Sequence, residues 1–211
     1  MHLAGCQGRV GVLTMTEKGF DHACGHAQGC GHDHGRSDGQ TNGQGHACNH
    51  AHAGRTMGFA IVTCSDTRSR KTDTAGAALE RLVADRGWDC VVREMVPDDR
   101  VLIGQAIARC GDLQQVDVVL TCGGTGLSPR DVTPDATRDV CDREVPGIAE
   151  GMRAYSMQIT DRAMLSRAIC AQRGSTLVVN LPGSEKAARE NWRAIVDVLE
   201  HAVEMMAGGG H

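Results

Sequence analysis

The stretch that most constrains this chain is 116–121, Val-Asp-Val-Val-Leu-Thr, a near-continuous apolar run that leads into Cys122-Gly123-Gly124-Thr125-Gly126. A strand that is apolar on both sides has to be covered on both faces. The same texture surrounds it from Gly58 onward. Apolar runs at about 59–64, 89–96 and 176–181 alternate with segments of helical periodicity at about 75–86, 99–110 and 184–207. Leu79, Leu82 and Val83 share one face of the first helix, and Gly87 ends it. Pro134 suits the first residue of a further helix, with Thr133 as its N-cap, and more helix is expected between about 147 and 168. This alternation specifies a three-layer α/β/α domain with a mostly parallel sheet and right-handed crossovers.

Composition then removes several function classes. Aromatic residues are 2% of the 211, too few for a base-stacking platform. The net charge of −4 leaves no basic footprint for a duplex, so no nucleic-acid partner is expected. No apolar run reaches about 18 residues, so neither a membrane span nor a secretory segment is expected. Cys64, Cys90, Cys110, Cys122, Cys141 and Cys170 are scattered singly among apolar neighbours. Such thiols suit a reducing, cytoplasmic setting rather than a disulfide framework.

Residues 1–57 are of another kind. They hold 12 of the 27 glycines and eight of the 10 histidines. From 21 to 55 no hydrophobic periodicity is visible, so the segment is expected to be disordered or metal-dependent. His22-Ala23-Cys24-Gly25-His26-Ala27 recurs as His46-Ala47-Cys48-Asn49-His50-Ala51, with Cys30, His32 and His34 between the copies and His52 after them. Imidazole and thiolate suit Ni²⁺, Zn²⁺ or copper, although a closed finger-type zinc frame is absent. A neutral low-complexity tail is the plainer reading. Ahead of this tract, 9–19 has the look of a short strand and turn.

Ligands of parallel sheets bind beyond the carboxyl ends of the strands. Three segments of the chain fall there. The glycine loop 123–126 lets backbone approach an anion, Arg130 and Asp131 follow it, and the next helix offers its positive end. A tight turn without a ligand would use the same glycines. Ser65-Asp66 follows the first strand; Asp73 or Thr74 further on has the simpler role of a helix cap. Asp98-Asp99 follows the second strand, with Asp99 the expected cap. Asp98 and Asp131 beside an anion loop suggest a divalent cation held against phosphates, Mg²⁺ above all.

The pattern extends beyond one loop. Ser65-Asp66, Asp73-x-x-Gly76, Val96-Pro97-Asp98, Gly123-Gly124-Thr125-Gly126, Arg130-Asp131-Val132-Thr133-Pro134, Pro146-Gly147, Leu165-Ser166-Arg167 and Asn180-Leu181-Pro182-Gly183-Ser184-x-Lys186 occur in order. With them, residues 58–207 resemble the molybdopterin adenylyltransferases of the MogA/MoaB type. The resemblance implies transfer of AMP from ATP to molybdopterin with Mg²⁺, Asp98 and Asp131 as the catalytic, metal-holding carboxylates, and a homotrimer. It implies a substrate pocket formed by Ser65, Asp66, Gly123, Gly124, Thr125, Gly126, Arg130, Asn180, Pro182, Gly183, Ser184 and Lys186, and a molybdenum insertase downstream. Ala75 replaces a serine common in the family, which removes a hydroxyl from the expected pocket. The alternative is a catalytically silent molybdopterin-binding or metal-carrier protein. Residues 1–57 lie outside the resemblance.

Overall fold

The computed structural model describes residues 56–114 and 116–209. The His/Cys-rich tract and the strand-like 9–19 segment lie outside the described residues.

Strands β1 (Gly58–Cys64), β2 (Asp89–Val96), β3 (Val118–Cys122), β4 (Arg143–Glu144), β5 (Cys170–Arg173) and β6 (Thr176–Leu181) form one sheet in the order β2-β1-β3-β6-β5-β4. The first four in that order are parallel; β5 pairs antiparallel with β6, and β4 antiparallel with β5. The helices are α1 (Thr74–Asp85), α2 (Arg100–Asp112), α3 (Thr133–Val140), α4 (Pro146–Met157) and α5 (Glu185–Met206), with a 3₁₀ turn at Asp161–Leu165. This is the α/β fold with a mostly parallel sheet that the alternation predicts.

The two-residue period of the strands splits the core into two layers. Phe59 and Ile61 of β1, Leu120 of β3 and Leu177, Val179 and Leu181 of β6 point to one side, where Leu79, Met152, Trp192, Ile195 and Leu199 cover them. Ala60 and Val62, Val119 and Val178 point to the other, under Ile103, Ala106, Ile107 and Ala136. Phe59 stacks on Trp88 at 5.2 Å, and Trp192 meets both rings edge-on at 6.1 Å. The domain begins slightly before the expected Gly58. Met57 is buried in the core, and its carbonyl accepts the Asp89 N–H at 3.0 Å.

Four local features depart from the sequence expectation. The helix after the glycine loop starts at Thr133, with Val132 in the cap position and no side-chain cap bond. The Thr133 hydroxyl is turned inward instead, beneath Gly124. The expected helix over 147–168 ends at Met157, and the remainder is the 3₁₀ turn and the approach to β5. Strands β4 and β5 were not expected. Ala75 is fully buried in the α1 side of the core, so a hydroxyl there would face packing and not the site.

Candidate active site

The sheet order creates the site. The chain leaves β1 toward β2 on one side, and leaves β3 toward the opposite edge. Their carboxyl ends therefore open a crevice between diverging loops, the usual place for a ligand in such sheets. The loop after β1 brings Ser65 and Asp66, the loop after β2 brings Asp98, and the loop after β3 brings 123–132.

Glycine is required in the third loop. Gly123 has φ +112° and Gly124 φ +62°. A Cβ on Gly123 would stand 2.5 Å from the carbonyl oxygen of Cys64. The Gly123 N–H is used by Leu181 O at 3.0 Å, while those of Gly124, Thr125 and Gly126 have no acceptor among the described residues. Consecutive free N–H groups in such a turn, followed by the start of α3, make an anion-binding concavity. Beneath the loop, burial pushes the Cys64 and Cys122 thiols up to about 12. Cys122 Sγ donates to Pro182 O at 3.3 Å. These thiols pack the loop and carry no thiolate chemistry near neutral pH.

The carboxylates occupy two arrangements. Asp66 and Asp98 clasp each other's backbone: the Asp98 N–H donates to Asp66 Oδ1 at 3.0 Å, and the Asp66 N–H to Asp98 Oδ2 at 3.3 Å. Arg130 pairs with Asp66 and lies 3.7 Å from Asp98 Oδ2. One guanidinium thus ties the glycine-loop segment to both carboxylates. Asp131 Oδ2 accepts the Ser128 N–H at 2.8 Å, which shapes the turn after the glycines. Asp73 and Asp99 are caps. Asp99 accepts the N–H groups of Val101 and Leu102, and buried Asp73 accepts from Gly76, the Thr63 hydroxyl and Arg93.

The remaining expected site residues divide by accessibility. Thr125, Gly126 and Pro182 line a cleft of about 280 Å³ beside the glycine loop. Gly183 accepts a bond from Arg68 at its carbonyl. The Ser65 hydroxyl accepts the Thr67 and Arg68 N–H groups, and Ser184 caps α5. Lys186 is exposed and 3.9 Å from Glu190. Asn180 is enclosed: its Nδ2 donates to the Thr121 and Thr137 hydroxyls at 2.9 Å each, and its Oδ1 accepts the Ile169 N–H at 3.3 Å. It joins β3, α3 and the loop before β5 beneath the site without lining the cleft.

The cleft also contains residues that the sequence reading passed over. Arg153 and Ser156, one turn apart on α4, and Asn191 on α5 form its far wall. Asn191 Nδ2 donates to Ser156 Oγ at 3.2 Å. Arg153 donates to Ala168 O at 2.8 Å and has no carboxylate partner among the described residues. A largely apolar cleft with a few polar groups and unspent cations suits a small organic ligand that carries an anion.

The donors suit a hard divalent cation. Both Asp66 oxygens are engaged, by Arg130 and the Asp98 N–H, whereas among the described residues Asp98 and Asp131 are engaged through Oδ2 alone and each keeps Oδ1 open to a ligand. No group of three or more carboxylate, His or Cys side chains forms a closed metal cage among the described residues. A cation of the Mg²⁺ type, which takes one or two carboxylates and completes its shell with phosphate and water, needs no such cage.

Comparison with known proteins identifies the architecture. Residues 60–201 match the family described as probable molybdopterin binding domain. The chain belongs to this family. It is 33% identical over 158 residues to the molybdopterin adenylyltransferase of Helicobacter pylori J99, covering 73% of this chain and 90% of that protein. It is 39% identical over 151 residues to the molybdenum cofactor synthesis protein cinnamon of Drosophila melanogaster, but spans only 25% of that protein's length. The solved structure of the molybdopterin biosynthesis enzyme MoaB from Thermus thermophilus is 41% identical, with a TM-score of 0.67 over 72% of this chain and 98% of that one. In the described part, no helix is long and apolar enough to cross a membrane.

Proposed function

We propose that this domain transfers AMP from ATP to the terminal phosphate of molybdopterin and releases pyrophosphate. The observation that carries the reading is the juxtaposition of the glycine loop, the Asp66–Arg130–Asp98 group and the adjoining cleft. The names of the Helicobacter pylori and Thermus thermophilus relatives support it. The pterin would occupy the cleft of Arg153, Ser156 and Asn191, with its phosphate at the glycine loop. The nucleotide phosphates would lie against Asp66, Asp98 and Arg130.

The reaction balances without a strong base. An anionic oxygen of the pterin phosphate attacks the α-phosphorus of ATP. The bond from that phosphorus to the bridging oxygen breaks, and the oxygen leaves with its electron pair in pyrophosphate. The chain's task is to hold two anions in line and offset their repulsion. Gly124, Thr125 and Gly126 offer N–H groups to the phosphate, while Arg130, engaged by Asp66, holds that carboxylate beside the glycine loop. Asp98 and Asp131 would hold Mg²⁺, which would neutralise charge on the transferring phosphates. Asn180 supports the floor of the site.

Pyrophosphate release from ATP, Mg²⁺ and molybdopterin tests the proposal. Asp98→Asn and Asp131→Asn should each cut turnover by about a hundredfold or more with melting unchanged. Turnover near the wild-type rate in both variants would refute the carboxylate assignment. Binding of molybdopterin without any pyrophosphate release by the wild type would establish the silent carrier instead. The resemblance supports a homotrimer in the cytoplasm that passes its product to a molybdenum insertase. A monomer in sedimentation at micromolar concentration would overturn the trimer. The repeated His/Cys tract supports binding of Ni²⁺, Zn²⁺ or copper by His22, Cys24, His26, Cys30, His32, His34, His46, Cys48, His50 and His52.

A further inference from the structure

Several cations at the carboxyl end of the sheet are spent on carboxylates. Arg130 is paired with Asp66, Arg167 with Asp135, and Lys186 faces Glu190. Arg68 differs. It lies in the segment 65–73 that joins β1 to α1, and its Nη1 donates to Gly183 O, 115 residues away, at 2.6 Å. A carbonyl accepts that bond without cancelling the charge. No carboxylate pairs with Arg68 among the described residues, and most of its five donors remain available.

The position of this guanidinium is built by the surrounding backbone. Ser65 Oγ accepts the Thr67 and Arg68 N–H groups, Ser69 O accepts those of Thr72 and Asp73, and Asp73 is anchored in the protein by Thr63 and Arg93. The segment is thus fixed at both ends, and Arg68 latches its middle to the turn after β6. A Cβ on Gly183 would lie 3.2 Å from Gly123 Cα and 3.6 Å from Arg68 Nη1. The guanidinium therefore rests against the turn that backs the glycine loop. It belongs to the same segment as Asp66, and the pterin cleft is lined without it. Arg70 and Lys71 follow, so 67–72 carries three cations and no carboxylate.

We infer that Arg68 receives the β- and γ-phosphates of the nucleotide, the part that departs as pyrophosphate. The planar fork of arginine suits two phosphate oxygens at once, and its carbonyl latch limits the ordering cost of binding them. The inference rests on ATP being the donor. It makes this site selective for a triphosphate over a monophosphate through one side chain.

The test is direct binding of Mg-ATP, Mg-pyrophosphate and AMP to the full chain, by calorimetry, for wild type, Arg68→Ala and Arg68→Lys. Arg68→Ala should weaken ATP and pyrophosphate by about tenfold to a hundredfold, the scale of a charge-assisted bond, while AMP changes by less than about twofold. Arg68→Lys should recover part of the loss. Equal weakening of AMP, or unchanged ATP and pyrophosphate, would overturn the inference, as would a wild type that binds neither. A wild type that binds both but never releases pyrophosphate from ATP and molybdopterin would refute the transferase reading while leaving the phosphate contact standing.

Discussion

Asn180→Ala separates a support from a substrate contact. The Asn180 side chain is fully buried and makes three hydrogen bonds, to β3, α3 and the loop before β5. Removing the amide strands the buried Ile169 N–H, which costs about 1–3 kcal/mol. The Thr121 hydroxyl loses its donor, and so does Thr137, whose own proton still reaches Thr133 O at 2.9 Å. Those two losses add roughly 1 kcal/mol or less each. A total near 3 kcal/mol lowers the melting temperature of a domain this size by about 6–12 °C. Denaturation followed through Trp88 and Trp192, stacked and edge-on to Phe59, measures this at a fixed protein concentration. Turnover per folded molecule should stay within a few-fold of wild type at a temperature where both are folded. Unchanged melting together with a tenfold loss of turnover would refute the argument and return Asn180 to the substrate pocket.

Gly123→Ala should lose both stability and phosphate binding, because a Cβ there meets the Cys64 carbonyl oxygen at 2.5 Å with φ +112°; a variant that melts and turns over like wild type would contradict the glycine-loop geometry. Burial pushes the Cys64, Cys110, Cys122 and Cys170 thiols up to about 12, so the folded state holds their protons more tightly than the unfolded chain does. That stabilisation is fully present below about pH 9 and is lost as pH rises from 9 toward 12. Urea midpoints should accordingly fall on the alkaline side, and these thiols should resist an alkylating reagent at pH 7.5 until the chain unfolds. Removing residues 1–55 should leave pyrophosphate release within a few-fold of the full chain while abolishing binding of most Ni²⁺, Zn²⁺ or copper equivalents. The cut must spare Met57, which belongs to the core. Retained metal stoichiometry in the truncated protein would refute the assignment of the tract.

The parts of the fold that were legible have alternating or continuous apolar strands. β2 and β6 span the same residues in the sequence reading and in the structure, and the N-caps Asp99 and Ser184 stand where expected. β4 is two exposed residues with no pattern at all. β5 had a signal that went unused: Arg173 pairs with Thr176 across Gly174-Ser175, a two-residue hairpin turn with Gly174 at φ +53°.

Site residues divide along a similar physical line. Aspartates one residue ahead of a helix, Asp73 and Asp99, are consumed by its free N–H groups. Asp66 and Asp98, placed before the cap positions, instead clasp one another and Arg130. Position relative to the coming helix was readable, and it sorts the carboxylates correctly. Arg153, Ser156 and Asn191 were not readable, because on a helix a polar residue facing a cleft has the same spacing as one facing solvent. Arg68 is the extreme case. In the sequence it is one more exposed cation in a loop, and only its bond to a carbonyl 115 residues away marks it as held in place. A cation fixed by a neutral acceptor retains its charge for a ligand. That condition depends on tertiary contact between β1–α1 and the turn after β6, and so on the strand order β1-β3-β6 that sets those loops side by side.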